Sequence, residues 1–170
     1  MTGMMIQPQQ TVVYTGEVAT TRSGEILISS PLGSCIAICA YCPGNRVGGL
    51  AHVMLPGHPP SAATTDRNRY AGHALKTLLN DMREKGAEPE TLRVCLIGGA
   101  NVLKREHDTI HIDNLHSLTA ILENAGIPVC CSSTGGFERM IARLDTQNGI
   151  LFQSIGNSPE TRLFDFHSTH

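Results

Sequence analysis

The sequence predicts a mixed α/β domain built in layers, and three observations carry that reading. Short apolar runs separated by Gly, Pro and Ser turns fill the first third of the chain. Two segments with apolar residues at helical spacing follow, each running into a strand-like stretch. A pair of apolar runs around Gln147-Asn148-Gly149 then closes the chain as a hairpin. Strands first, helix-then-strand in the middle and a hairpin last suit a layered domain better than a regular doubly wound sheet.

Taken in order, residues 1–10 are polar and read as a flexible N-terminal tail. Thr11 to Thr21 is compatible with one edge strand, Arg22-Ser23-Gly24 with a turn, and Glu25 to Ser29 with a strand. Gly57 to Arg67 is a Pro- and Ser/Thr-rich loop. Asp66 is placed to cap a helix whose face is Tyr70, Ala74, Leu75, Leu78, Leu79 and Met82, ending at Gly86. Leu92 to Ile97 is a buried strand followed by the Gly98-Gly99 turn, and Lys104 to Asp113 is a polar loop. Asn114 reads as the cap of a second helix with Leu115, Leu118, Ile121 and Leu122 on one face, closed by Gly126. Ile127 to Cys131 is a strand, and Asn148-Gly149 suits a tight type I′ turn in the last hairpin. The domain is expected over residues 11–157, with 158–170 a polar, poorly ordered tail. There is no internal repeat.

Composition limits the function classes. At 170 residues the chain suits one domain with a real core, and 41% hydrophobic with 16% charged residues is ordinary for a soluble globular protein. A formal charge of -2 gives no electrostatic case for nucleic acid or an anionic membrane surface. The absence of Trp argues against a base-stacking platform. No apolar run approaches the roughly 18 residues of a spanning helix, and the first ten residues lack a signal pattern. A cytoplasmic protein with no membrane insertion is therefore expected. Six cysteines without an export signal read as free thiols, and Cys39, Cys95, Cys130 and Cys131 lie in apolar strand-like runs.

The chemistry concentrates in Leu32 to Pro56. Gly33-Ser34 turns the chain ahead of Cys35, and Ile36-Ala37-Ile38 continues as a strand. Pro43-Gly44-Asn45 breaks it, and Gly48 to Leu55 returns. Antiparallel pairing of these two strands brings His52 near Cys35, and a thiol beside an imidazole is the minimum for cysteine nucleophilic catalysis. A rival is contained in the same letters. Cys35-x-x-x-Cys39-x-x-Cys42 fits the iron–sulfur ligand spacing of radical SAM enzymes. However, a strand between the first two cysteines would hold them roughly 13 Å apart, and cluster ligands need a loop. His107, His111 and His116 suggest zinc more weakly, because no H-E-x-x-H pattern accompanies them. The expected cofactor and metal content is none.

The runs Leu32-Gly33-Ser34-Cys35, Gly49-Leu50-Ala51-His52-Val53-Met54-Leu55-Pro56 and Ile97-Gly98-Gly99-Ala100-Asn101 together resemble the CheD family of bacterial chemoreceptor glutamine deamidases. The likeness extends from about Ile26 to about Ile155. It implies a single domain, α+β, a β-sandwich with helices packed outside. It also implies Cys35 as nucleophile, His52 as its acid–base partner, and a third hydroxyl six residues before the cysteine, where the family has Thr and this chain has Ser29, with Ser30 beside it. Backbone N–H groups around Gly33 and Ser34 are the nearest oxyanion donors. The substrate would be a chemoreceptor cytoplasmic domain, and a CheC-type phosphatase a second partner. A non-catalytic interaction module of the same fold is the alternative. Two places depart from the family pattern: Gly72-His73 stands where Asp is common, and Ser133 to Arg139 lacks the usual Asp and has Glu138 for Gly.

Overall fold

The computed structural model describes residues 3–168. Within them lie two five-stranded sheets and two α-helices. The strands are β1 (Gln10–Val13), β2 (Val18–Thr21), β3 (Ile26–Ser29), β4 (Ile36–Cys42) and β5 (Val47–Val53), followed by α1 (Ala71–Glu84). After α1 come β6 (Arg93–Gly98), α2 (Ile110–Asn124), β7 (Val129–Thr134), β8 (Met140–Asp145), β9 (Ile150–Ile155) and β10 (Thr161–Asp165). One sheet runs β1-β3-β8-β9-β10 and the other β2-β5-β4-β6-β7.

The layering follows from β4, every residue of which is buried. Its alternate side chains serve two cores. Ile36, Ile38, Ala40 and Cys42 face the helices, packing with Leu75, Leu78 and Met82 of α1 and Leu118 and Leu122 of α2. Ala37, Cys39 and Tyr41 face the other sheet, packing with Leu27, Leu144 and Leu151. The molecule is thus a helix layer on a sheet on a second sheet, the layered domain that the sequence pattern predicts and the α+β sandwich with outer helices that the family resemblance implies. The hairpin of β4 and β5 is antiparallel with Ala37 opposite His52, and β6 flanks β4 on the other side with Gly98 opposite Ile36.

Four local expectations are corrected. Thr11 to Thr21 is two strands in different sheets, because the turn at Tyr14–Glu17 redirects the chain: β1 pairs with β3, whereas β2 pairs with β5. The second helix starts at Ile110, with Thr109 at its N-cap, so part of the expected polar loop is helical and Asn114 lies inside the first turns. The β8–β9 connection spans residues 146–149, and Asn148 lacks the positive φ that a type I′ turn demands, only Gly149 having one. The chain beyond residue 157 is not a loose tail within the described residues. Thr161–Asp165 pairs with β9, and Phe166 is fully buried against Tyr41. Its polar letters face outward while Leu163, Phe164 and Phe166 pack inward. Residues 3–9 form neither helix nor strand.

Candidate active site

Cys35 is the last residue before β4, half-buried at the mouth of a cavity of about 340 Å³. Its position is set by glycines of the Ile97-Gly98-Gly99 block. Gly98 has φ 122, and a Cβ there would collide with the Cys35 carbonyl. The N–H of Gly99 donates to that same carbonyl at 2.9 Å, and the N–H of Ala100 donates to Gly33 O at 2.8 Å. A third tie comes from α2. Fully buried Asn114 donates through Nδ2 to the carbonyls of Ser34 and Met54, each at 3.0 Å. Asn114 thus joins the ends of β4 and β5 that carry the thiol and the imidazole. Sequence reasoning missed this because an Asn ahead of an apolar run reads as a cap.

Register puts Cys35 and His52 on the face of their sheet that looks toward the other sheet, as diagonal rather than direct neighbours. No hydrogen bond joins them among the described residues. His52 is fully buried. Its Nδ1 lies 3.1 Å from the Val13 carbonyl, which only accepts, so Nδ1 carries the hydrogen and Nε2 is the basic nitrogen. Ser30 Oγ is 3.3 Å from Nδ1, and Thr15 Oγ1 is 3.5 Å from Nε2.

The expected orientation of Ser29 toward His52 is corrected by this geometry. Ser29 Oγ accepts the Ala142 N–H at 3.0 Å and is buried between β3 and β8. The physical reason is that β3 ends there. Pro31 follows, the chain leaves the ladder, and the Ser29 hydroxyl takes over as acceptor for the neighbouring strand's N–H. Ser30, its own N–H bonded to Val13 O at 3.0 Å, is the serine that reaches the imidazole.

Burial pushes the Cys35 thiol up, against the opposing pull of the Thr15 hydroxyl and its own backbone N–H. Burial lowers His52, against the Val13 carbonyl and the Glu17 carboxylate. Both directions favour a neutral thiol beside a neutral imidazole at rest. The cavity offers polar groups from Asn101, Asp108, His111 and Arg139 and apolar walls from Val102, Leu103 and Ile110. Asn101 is spent on its own loop, bonded through its side chain to both the N–H and the carbonyl of Arg105. Among the described residues nothing accepts from the N–H groups of Gly33 or Ser34.

The three-cysteine rival fails on geometry. Cys35 and Cys39 share the inter-sheet face, whereas Cys42 points to the helix side with Sγ 3.6 Å from Glu88 O. Of the three histidines weighed for zinc, only His111 lines the cavity; among the described residues no group of three or more His, Cys, Asp or Glu is placed to hold a metal. At the first departure from the family pattern, the His58 ring occupies the space that a side chain at position 72 would need. In the second, Arg139 lines the cavity and the Gly136 carbonyl accepts the Asn101 N–H at 2.9 Å.

Residues 54–154 match the family model described as CheD chemotactic sensory transduction. A probable chemoreceptor glutamine deamidase CheD from Chlorobium luteolum is 62% identical over 91% of this chain and 77% of that protein. A chemoreceptor glutamine deamidase CheD from Thermotoga maritima is 30% identical over 89% of this chain and 96% of its own length. One from Caulobacter vibrioides, named as a probable deamidase, is 35% identical over 87% and 80%. With a family model covering more than half of the chain and relatives aligned over nearly all of it, this chain belongs to the CheD family.

Proposed function

We propose that this protein is a chemoreceptor glutamine deamidase that uses Cys35 as nucleophile and His52 as general acid and base. The single observation that carries the reading is the half-buried Cys35 thiol opening into a polar cavity beside a histidine whose tautomer leaves Nε2 basic. Family membership supports the substrate class, since relatives named chemoreceptor glutamine deamidases align over most of the chain. The 340 Å³ cavity is of a size for a glutamine side chain. Leu103 at its wall is 66% exposed, apolar surface suited to a polypeptide around the glutamine rather than to the free amino acid.

The chemistry runs in two halves. Loss of the thiol proton to His52 lets Sγ bond to the carboxamide carbon, and the oxyanion that forms is met by the free N–H groups of Gly33 and Ser34. The imidazolium returns its proton to nitrogen as the C–N bond breaks, so ammonia leaves and a thioester remains. Water then gives a proton to Nε2 and attacks the thioester. Sγ leaves and is reprotonated, and glutamate is the product. No metal is needed for either half. Ser30 holds the imidazole at Nδ1 in the role the family resemblance first assigned to Ser29.

A receptor cytoplasmic domain as substrate fits a cytoplasmic protein; no helix among the described residues is long and apolar enough to cross a membrane. A CheC-type phosphatase is the second partner, by family resemblance. The test is mass spectrometry of purified receptor cytoplasmic domains after incubation with the protein. Site-specific Gln-to-Glu conversion is expected with the wild type and none with Cys35→Ala or Cys35→Ser. Conversion by Cys35→Ala at the wild-type rate, or none by the wild type on any receptor domain, would overturn the assignment.

A further inference from the structure

Among the described residues no hydrogen bond joins Cys35 to His52, and the hydroxyl that faces the basic nitrogen of His52 comes from a part of the chain that no motif marks. The Tyr14–Glu17 turn closes with Glu17 N–H on Tyr14 O at 2.9 Å. It is fastened to the backbone of His52 on both sides: Gly16 N–H donates to His52 O at 2.9 Å, and His52 N–H donates to Glu17 O at 3.0 Å. Gly16 has φ 80, and a Cβ there would press within 2.8 Å of the Arg69 side chain, so the turn has one tight seat. Thr15 stands at its tip with Oγ1 3.5 Å from His52 Nε2, and its hydroxyl is near enough to the Cys35 thiol to pull that thiol's titration downward against burial.

We infer that Thr15 is the proton relay between nucleophile and base, so that the reacting unit is Cys35–Thr15–His52 with Ser30 and Val13 holding the far side of the ring. In the resting chain the thiol donates to Oγ1 and the Thr15 hydroxyl donates to Nε2, which accepts because Nδ1 bears the hydrogen. On activation the S–H bond breaks as a new O–H bond forms, and the old O–H bond breaks as N–H forms on Nε2. The thiolate then accepts from Thr15, and the imidazolium donates to it. Two protons each move one bond, nothing is oxidised, and both charges keep a hydrogen-bond partner. This arrangement offsets a neutral resting pair: burial disfavours the ion pair, and a hydroxyl bonded to both ions favours it.

The inference rests on the deamidase reading for its role in turnover, yet it is tested without a receptor. Iodoacetamide alkylation of Cys35 in the full chain, followed by peptide mass mapping, reads thiolate availability directly. Exposed Cys130 serves as the internal reference, and Glu17, the charged neighbour of His52, is unchanged in every variant. Thr15→Val is the variant of choice because it fills the same space and keeps water from replacing the hydroxyl. It should alkylate about ten-fold more slowly at neutral pH and shift the Cys35 profile upward, the loss of one charge-assisted hydrogen bond. Thr15→Ser should stay within about two-fold of the wild type. On a receptor domain, kcat should fall with KM unchanged for Val and recover for Ser. Should Thr15→Val fold poorly, Thr15→Ala against Thr15→Ser gives the same comparison. Wild-type alkylation in the hydroxyl-free variant overturns the relay, even if deamidation drops, because Thr15 would then touch substrate and not the thiol. A wild type that deamidates nothing but shows the alkylation pattern would sink the deamidase reading and leave the relay standing.

Discussion

At the scale of single residues, the site turns on which protons sit where. With His52 lowered and Cys35 raised by burial, the two titrations move apart. The active protonation state, one proton shared between thiol and imidazole, then spans a wide window. The acid limb of the rate belongs to His52 and should lie below the ordinary histidine value of about 6.5; the alkaline limb belongs to the thiol and should lie above about 8.5. Deamidation rate against pH checks this, and a narrow optimum with its acid limb above the ordinary histidine value would contradict it. The two serines separate in the same way. Ser30→Ala removes a hydroxyl from the imidazole and should slow turnover about ten-fold, with stability little changed. Ser29→Ala strands the buried Ala142 N–H and should cost about 1–3 kcal/mol of stability, while the folded protein turns over normally. Rates and urea midpoints of the two variants decide it, and a swapped pattern would refute the assignment. The runs that hold Cys35 and His52 can be picked out in the sequence, and their roles as nucleophile and base belong to the deamidase reading proposed above. The third hydroxyl was not, since alternation along β3 holds only until the strand ends at Ser29.

Among the elements, α2 does more than cover the sheet. Its Asn114 holds the two strand ends that bear the Cys35 thiol and the His52 imidazole, and Nδ2 spends both hydrogens doing so. Asn114→Asp is nearly isosteric but turns an oxygen toward two carbonyl oxygens in a fully buried place. It should lower stability by about 1–3 kcal/mol and slow both deamidation and Cys35 alkylation. A variant with both rates intact would show that the tether does not position the thiol. The helical periodicity that reveals α1 is clear, because its buried face of Ala74, Leu75, Leu78 and Met82 is apolar throughout. In α2 the polar Asn114 occupies a buried position, so the apolar stripe breaks and the first turn reads as loop. A buried polar residue that misleads a periodicity argument is here one that supports the site.

For the whole molecule, the layering was legible from the sequence and the sheet topology was not. Continuous apolar runs at β4 and β5 mark strands covered on both faces. Nothing local says that β1 pairs parallel with β3 or that β3 pairs with β8, more than a hundred positions on, since such partners are chosen by packing of the assembled core. The same holds at the C-terminus, where Thr161–Asp165 reads as polar tail yet adds the last strand to its sheet. What fastens it is Phe166, fully buried with its ring 5.4 Å from Tyr41 and 5.0 Å from Phe164. Tyr41 belongs to the opposite sheet and donates to Thr146 O at 2.9 Å, and Arg93 of that sheet donates to Phe166 O at 3.3 Å. The C-terminal segment therefore clasps the two sheets at the end of β4 away from Cys35, six residues or roughly 20 Å along the strand. Phe166→Ala removes the ring from a closed core and should cost about 3–5 kcal/mol. Because the clasp and the thiol occupy opposite ends, the folded fraction should keep its Cys35 alkylation rate at low temperature while its urea midpoint falls. A Phe166→Ala protein with an unshifted midpoint would mean that the C-terminal strand is not part of the cooperative fold; loss of Cys35 reactivity in protein still folded would mean that the two ends of the sandwich are coupled.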